Sequence, residues 1–383
     1  MKSKPSVLMV AAEASSALYA QRLIEHWQSV GKDFNAFGVG SKAMAEIGFH
    51  NIGKAEEMAV MGLQEVISHW GVISTCYKAI LAECKKNPPD FALLLDYPGF
   101  NLRLAKDLKK MGIPVVYYIS PHIWAWKKRR IHKIKKVVDK MLVLFPFEVP
   151  LYEKHNVDVE FVGHPLADEI DRYELNEDQL QRKKDRYGFG KNKVLALMPG
   201  SRISELKYIL ETQIKTAEKL YEEFPSFNYV LLIAPTLDIE TVKSMLPRYK
   251  IPLAFIKEEP MEMIPMADVV LCASGTATLF VGLFKKPMII MYKMSSLTVF
   301  IGRFLVRSLK YFGLVNIVMQ KEVCPELFQE KASVENICKY LNPLMSDPVA
   351  YKNMVQDLSQ VRESLGAGKV TLKVASSIES FWK

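Results

Sequence analysis

The sequence lacks any apolar run long enough to cross a bilayer. A spanning helix needs roughly 18–20 consecutive apolar residues, and the nearest stretch, 297–319, is broken by Arg303, Arg307 and Lys310. The apolar run 7–12 near the N-terminus is too short for the core of a secretory signal and reads as a first strand. Cysteine is sparse and unpatterned. Cys76, Cys84, Cys272, Cys324 and Cys338 form no C-x-x-C pair, which excludes a disulfide framework and fits a reducing, cytoplasmic compartment. Histidine is confined to the first 164 residues, and there is no H-E-x-x-H and no Cys/His cluster, so no metal is expected. G-x-S-x-G is missing, which disfavours a nucleophile-elbow hydrolase. Neither the P-loop nor the G-x-G-x-x-G spacing occurs, which disfavours a mononucleotide kinase or an NAD enzyme. No short-period repeat marks a solenoid.

What is present is the composition of a chain that can bury a full core. Of 383 residues, 49% are hydrophobic and 24% charged, and the length suits two domains. The net charge of +9 points to anionic partners: nucleic acid, phosphorylated metabolites or an acidic membrane surface. Short apolar runs alternate with helical patterns, which predicts parallel sheets with right-handed crossovers, an α/β protein of two doubly wound halves. Strands are expected at 7–12, 34–39, 91–96, 115–119, 141–145 and 159–162. After a polar stretch at 168–193, read as the hinge, they resume at 194–198, 229–234, 254–256, 269–272 and 288–292. Helices are expected at 102–111, 127–140, 204–224, 239–249 and 276–284, with an all-helical end from 333 to 382. The expected division is 1–170, 171–345 and a C-terminal helical segment, 346–383. In such folds ligands bind in the crevice at the carboxyl ends of the strands, here expected where the two sheets face each other.

Two strand-to-helix junctions in the second half suit an anion: MPGSRISE (198–205) and CASGTATLF (272–280). Unpaired N–H groups at a helix start favour negative charge, glycine permits close approach, and Arg202 adds a fork of donors. Simple helix capping by these turns is the competing reading. In the first half, LLLDYPGFN (93–101) ends a central strand at Asp96, a general-base candidate or a helix cap. Glu13, just past the first strand, is a weaker candidate of the same kind. His164 fits a cleft residue or a hydrogen-bonded strand-end residue. The segment SPHIWAWKKRRIHKIKK (120–136) couples Trp124 and Trp126 to seven lysines and arginines, including Arg129 and Arg130. It fits a lipid interface, a nucleic-acid surface or a solvated helix. The stripe of Val60, Met61, Leu63, Val66, Ile67 and Trp70 fits core or a membrane contact.

These motifs, with AVMGLQEV (59–66), FPFE (145–148), FVGHPL (161–166) and LVNIVMQKEVCPELFQE (314–330), resemble the lipid-A-disaccharide synthases. That family consists of inverting glycosyltransferases with the two-Rossmann GT-B fold. The resemblance implies transfer of 2,3-diacylglucosamine from its UDP-linked form to 2,3-diacylglucosamine 1-phosphate, without metal or organic cofactor. It implies Asp96 as the base, with Glu13 and Ser15 nearby, and Ser201, Arg202, Glu205, Ser274, Gly275, Thr276 and Asn316 on the donor. It implies a homodimer, in which the segment 346–383 packs back on the first domain or is exchanged, and peripheral contact with the cytoplasmic face of the inner membrane through the 58–70 stripe and the Trp–Lys segment; a nucleic-acid partner is not expected. The chain departs from the family pattern at Ser16 and Ala17, where Gly-Asp is usual, at Gly99, where an acid is usual, and at Phe280, where a ribose-binding Glu is usual. These departures motivate an alternative, a divergent paralogue that binds lipid or nucleotide sugar with altered or lost turnover. A UDP-sugar epimerase is disfavoured by the lack of histidine beyond position 164.

Overall fold

The computed structural model describes residues 4–58, 70–124, 128–294, 310–366 and 368–382. The chain divides into two compact units, residues 1–165 with 368–383, and residues 166–367. The sequence pattern places these boundaries at 170 and 345.

Among the described residues, the first unit is built on seven parallel strands: β1 (Ser6–Ala11), β2 (Asn35–Gly40), β3 (His50–Lys54), β4 (Phe91–Leu95), β5 (Val115–Tyr118), β6 (Lys140–Val143) and β7 (Val159–Phe161). Their order in the sheet is β3-β2-β1-β4-β5-β6-β7. The central strands β1, β4 and β5 are apolar and almost wholly buried, as a parallel sheet covered on both faces requires. The second unit is built on β8 (Val194–Met198), β9 (Asn228–Leu232), β10 (Leu253–Ile256), β11 (Val269–Ala273), β12 (Met288–Tyr292) and β13 (Glu326–Phe328), also all parallel, in the order β10-β9-β8-β11-β12-β13. Each sheet reverses its winding once, between β1 and β4 in the first and between β8 and β11 in the second. Those switch points leave a gap at the carboxyl ends where neighbouring connections run to opposite faces.

Two strands escaped the sequence pattern. β3 reads HNIGK and β13 is three residues long. Both lie at sheet edges, where half of the strand meets solvent and apolar continuity is not needed. The helix expected over 127–140 is a 3₁₀ turn at Lys128–Arg130 followed by Ile131–Val137, and Lys140 already belongs to β6. The polar stretch read as a hinge holds the helices Leu166–Ile170 and Glu177–Arg186 and belongs to the second unit. There Arg362 of the helix Pro348–Ser364 ion-pairs with both Asp171 and Glu174. The helix expected over 239–249 stops at Ser244.

The C-terminal helix Val370–Ser377 and the turn after it pack on the first unit. Trp382 sets its ring edge-on against Trp27 and Phe91, with centroids 5.1 and 5.0 Å apart. Lys32 pairs with Glu379 at 2.7 Å, and the Ser377 hydroxyl donates to Glu160 at 2.6 Å. All five cysteines are buried and free. Among the described residues, no helix is long and apolar enough to cross a membrane.

Candidate active site

The switch point of the first sheet carries Glu13 just after β1 and Asp96 just after β4. The turn at Asp96 is strained. Asp96 and Tyr97 both have left-handed backbones, with φ of 48° and 44°, a conformation that costs a non-glycine residue on the order of 1–3 kcal/mol. Surrounding bonds over-determine it. The Asp96 N–H donates to the Tyr118 carbonyl at 3.0 Å. The Asp96 carbonyl accepts from the Asn101 amide at 2.8 Å and from the Tyr117 hydroxyl at 2.5 Å. The Asn101 amide also reaches the Leu95 carbonyl at 3.1 Å, and Asn101 is fully buried. Pro98 then opens the helix Pro98–Lys110, with Tyr97 as its cap and no side-chain capping bond. The helix therefore starts four residues earlier than the pattern suggested, and the Asp96 carboxylate is not its cap.

That carboxylate is instead held in a poorly hydrated place. Burial, and then the charge of Glu13, push its pKa up from 3.8 to about 6, against a smaller pull from the Tyr97 N–H. Burial also raises Glu13. The two acids thus form one electrostatic unit at the sheet switch point, tuned toward the range in which a carboxylate can take and return a proton. Ser15 lies in the first turn of the helix Ala14–Ser29 and is exposed. Ser16, the departure from Gly, fits its place. It is helical, fully buried, and closes the turn by accepting from the Glu13 N–H at 3.1 Å and donating to the Glu13 carbonyl at 2.9 Å.

The switch point of the second sheet carries the two phosphate-type turns. After β8, Gly200 adopts φ +117°, and a Cβ there would collide with the Glu205 carboxylate. Glu205 folds back and accepts from the Ser201 N–H at 2.8 Å, so it holds the turn closed instead of facing a donor directly. Arg202 is exposed at the cap of the helix Ile203–Glu223. After β11, Gly275 has φ +151° with open space beside it. Ser274 and Thr276 flank it, and Thr278 ties the turn down, donating to the Gly275 carbonyl at 2.8 Å and accepting from the Leu314 N–H at 3.2 Å. Phe280 is half-buried on the helix Ala277–Leu283.

Asn316 differs from the direct donor contact expected of it. It is fully buried. Its amide donates to the Cys324 carbonyl at 2.7 Å and to Glu326 at 2.8 Å, and its oxygen accepts from the Val323 and Cys324 N–H groups at 2.7 and 2.9 Å. With that capacity spent internally, Asn316 positions Glu326 and the 323–324 backbone. Glu326 in turn accepts from the Phe312 and Gly313 N–H groups at 2.8 and 2.9 Å.

Of the lipid-facing candidates, Val60, Met61, Leu63, Val66 and Trp126 lie outside the described residues. Trp124 packs inward, edge-on to Phe147 at 5.4 Å, with its indole nitrogen buried. Its neighbour Glu148, which sequence reasoning missed, is buried, accepts from the Ser120 hydroxyl, and has its pKa pushed up to about 7 by burial. His164 is buried against Phe145, and burial, with the charge of His122, pushes it down to about 3, so it stays neutral. Arg129 joins Lys106, Lys109, Lys110, His132, Lys133 and Lys136 around an open cavity of about 750 Å³. Like charge there is dense enough that Lys106, Arg130 and Arg103 add to burial in lowering Lys133.

Two parallel sheets, each with a switch point at its centre, give the chain the two-domain α/β architecture of the GT-B fold. Solved structures of that architecture superpose along nearly the whole chain. The UDP-GlcNAc 2-epimerase from Neisseria meningitidis bound to UDP-GlcNAc matches with a TM-score of 0.63 at 10% identity, covering 98% of this chain and 99% of that one. Anabaena HepE in complex with UDP and glucose matches with a TM-score of 0.60 at 11% identity, covering 98% and 100%. At such identities the likeness is one of fold. Sequence narrows it further. The family model described as lipid-A-disaccharide synthetase matches residues 7–377. The lipid-A-disaccharide synthase of Trichlorobacter lovleyi is 38% identical over 98% of this chain and 97% of its own length. That of Nitrosococcus oceani is 38% identical over 96% and 94%. The chain belongs to the lipid-A-disaccharide synthase family, and it is a hexosyltransferase.

Proposed function

We propose that the chain joins two acylated glucosamines by in-line displacement at the donor's anomeric carbon. The 6-hydroxyl oxygen of 2,3-diacylglucosamine 1-phosphate attacks C1 of UDP-2,3-diacylglucosamine. The C1–O bond to the diphosphate breaks, UDP leaves with the electron pair, and Asp96 takes the hydroxyl proton. The product is the β-1,6 disaccharide 1-phosphate. The observation that carries this reading is the Asp96 turn, strained, clamped by Asn101 and Tyr117, and bearing a carboxyl raised to about 6. A base in that range is ionised at neutral pH yet basic enough to accept a proton as the new bond forms.

The second unit supplies the diphosphate contacts in this proposal. Arg202 and the N–H groups at Gly275 and Thr276 meet the oxygens on which charge grows as UDP departs, where preorganised donors contribute most. Glu205 and Asn316 act through the backbone they hold. The basic cavity lined by Lys106, Arg129, Lys133 and Lys136 suits the acidic headgroups of a membrane surface, from which both acylated substrates would come, at about 1 kcal/mol per basic residue near the surface. A homodimer is carried over from the family resemblance.

An assay with both acylated substrates tests the function. Wild-type protein should release UDP and form disaccharide, while Arg202→Ala should do so at least tenfold more weakly at a fixed low donor concentration. Folded wild-type protein that forms no disaccharide would refute it. Sedimentation with vesicles of acidic and neutral phospholipid tests the membrane contact. Binding to acidic vesicles only, lost in a Lys106→Glu/Lys133→Glu double variant, supports it, and equal binding to both vesicle types contradicts it. Light scattering gives the oligomeric state: a monomer's mass at assay concentration would remove the dimer from the account.

A further inference from the structure

Beside Ser274 in the second unit lies a cavity of about 350 Å³ that none of the residues discussed above explains. Its floor is the β12–β13 edge of the sheet, where Ile290, Tyr292, Glu326 and Phe328 alternate along the strands and so share one face. Phe312 closes the other side. The rings of Tyr292, Phe312 and Phe328 lie within 29° of parallel, with centroids 5.4–6.0 Å apart, and Phe312 remains 39% exposed. Two carboxylates line the cavity. Glu326 is consumed by the Phe312 and Gly313 N–H groups and by Asn316. Glu322 is exposed, and no hydrogen bond or ion pair engages it among the described residues; its charge is felt by Glu326, whose pKa it helps to raise. Lys310 and Lys331 complete the rim.

An occupant of this cavity meets three demands. It offers an apolar face to the aromatic wall, hydroxyl donors to an unspent carboxylate, and negative charge toward Ser274 and two lysines. A fatty acyl chain meets only the first and would strip water from three charges without replacing it, which is costly. A ring bearing hydroxyls and attached to a phosphate meets all three: its C–H face lies on the aromatic rings while its hydroxyls donate to one carboxylate. We infer that this cavity holds a hydroxyl-bearing ring of the nucleotide-sugar donor, and that Glu322 is the carboxylate that accepts its hydroxyls. The inference rests on the donor reading of the second unit and deepens it. It also bears on how this chain manages with Phe280 on the helix Ala277–Leu283.

Two rings of such a donor carry hydroxyls, the ribose and the hexose, and calorimetry with UDP and 2′-deoxy-UDP separates them when combined with donor kinetics. If the ribose is held, Glu322→Gln binds UDP about tenfold more weakly and no longer prefers UDP over 2′-deoxy-UDP. If the hexose is held, UDP binding is unchanged and KM for the acylated UDP-sugar rises about tenfold, with kcat nearly constant. Either pattern supports the inference. Glu322 is exposed, so the variant should fold, and its melting temperature checks this. UDP affinity, discrimination and donor KM all within twofold of wild type would overturn the inference while leaving the donor site standing. Failure of folded wild-type protein to bind UDP at all would overturn the donor reading, and this inference with it.

Discussion

Replacing Glu13 with glutamine removes one negative charge beside Asp96 while keeping the size and most of the polarity of the side chain. In the wild type, Asp96 has its pKa raised from 3.8 to about 6, with burial the larger cause and the Glu13 charge the second. If ionised Asp96 is the base, kcat/KM falls as pH drops through about 6, because protonation removes the acceptor of the hydroxyl proton. In the variant the charge contribution vanishes and burial remains. The midpoint therefore moves toward acid, by about one unit, and stays above 3.8; one unit corresponds to about 1.4 kcal/mol. At pH 5 a base with its midpoint at 6 is about one-tenth ionised, and one with its midpoint at 5 is half ionised. Normalised to its own alkaline plateau, the variant should thus be roughly fivefold more active at pH 5 than the wild type. The assay is a pH series of initial rates of UDP release at subsaturating donor. A midpoint that does not move, or that moves toward alkali, would refute the coupling between Glu13 and Asp96.

Three further outcomes follow from the same geometry. Arg202→Ala should weaken UDP binding measured by calorimetry by about 2 kcal/mol, the worth of charge-assisted bonds to a phosphate; an unchanged Kd would remove Arg202 from the donor site. Asn316→Ala abandons buried partners at Cys324 and Glu326, so thermal unfolding should show a loss of about 2–3 kcal/mol, whereas an exposed ligand-binding asparagine would leave the melting temperature unchanged. Asp268→Ala leaves Lys184, which is 8% exposed, without its 3.1 Å ion pair, and Val194 without its 2.8 Å acceptor. The cost should be about 2–3 kcal/mol in denaturant unfolding, below the range for a fully buried pair because Asp268 keeps some water contact.

The parts of the fold that depend on a residue's own neighbours in sequence were legible. Central strands such as β1, β4, β8 and β11 are continuous apolar runs because both of their faces are covered. Edge strands β3 and β13 were not legible, because pairing on one side only does not require an apolar run and neither HNIGK nor ELF supplies one, unlike the edge strand β10, which reads LAFI. The places of Asp96 and of the two glycine turns just past strand ends could be read from strand-then-turn spacing. The clamp on Asp96 could not, since Tyr117 and Asn101 reach it from β5 and from within the following helix. Asn316 misled for the opposite reason: a conspicuous polar residue in a family-like segment can owe its place to the backbone it supports. The aromatic cavity around Glu322 is assembled from positions 274 to 331, a span over which no local period connects the residues.

Asp96 is the proposed base for glycosyl transfer, and single-turnover formation of disaccharide tests this most directly. Enzyme in excess over the acylated UDP-sugar, mixed with the acylated sugar phosphate at pH 7.5 (about 1.5 units above the Asp96 midpoint), isolates the chemical step from product release. The wild type should form disaccharide, and Asp96→Asn should bind UDP with wild-type affinity yet form disaccharide at least a hundredfold more slowly, the worth of a general base. An Asp96→Asn variant that turns over within a few-fold of wild type would contradict the account.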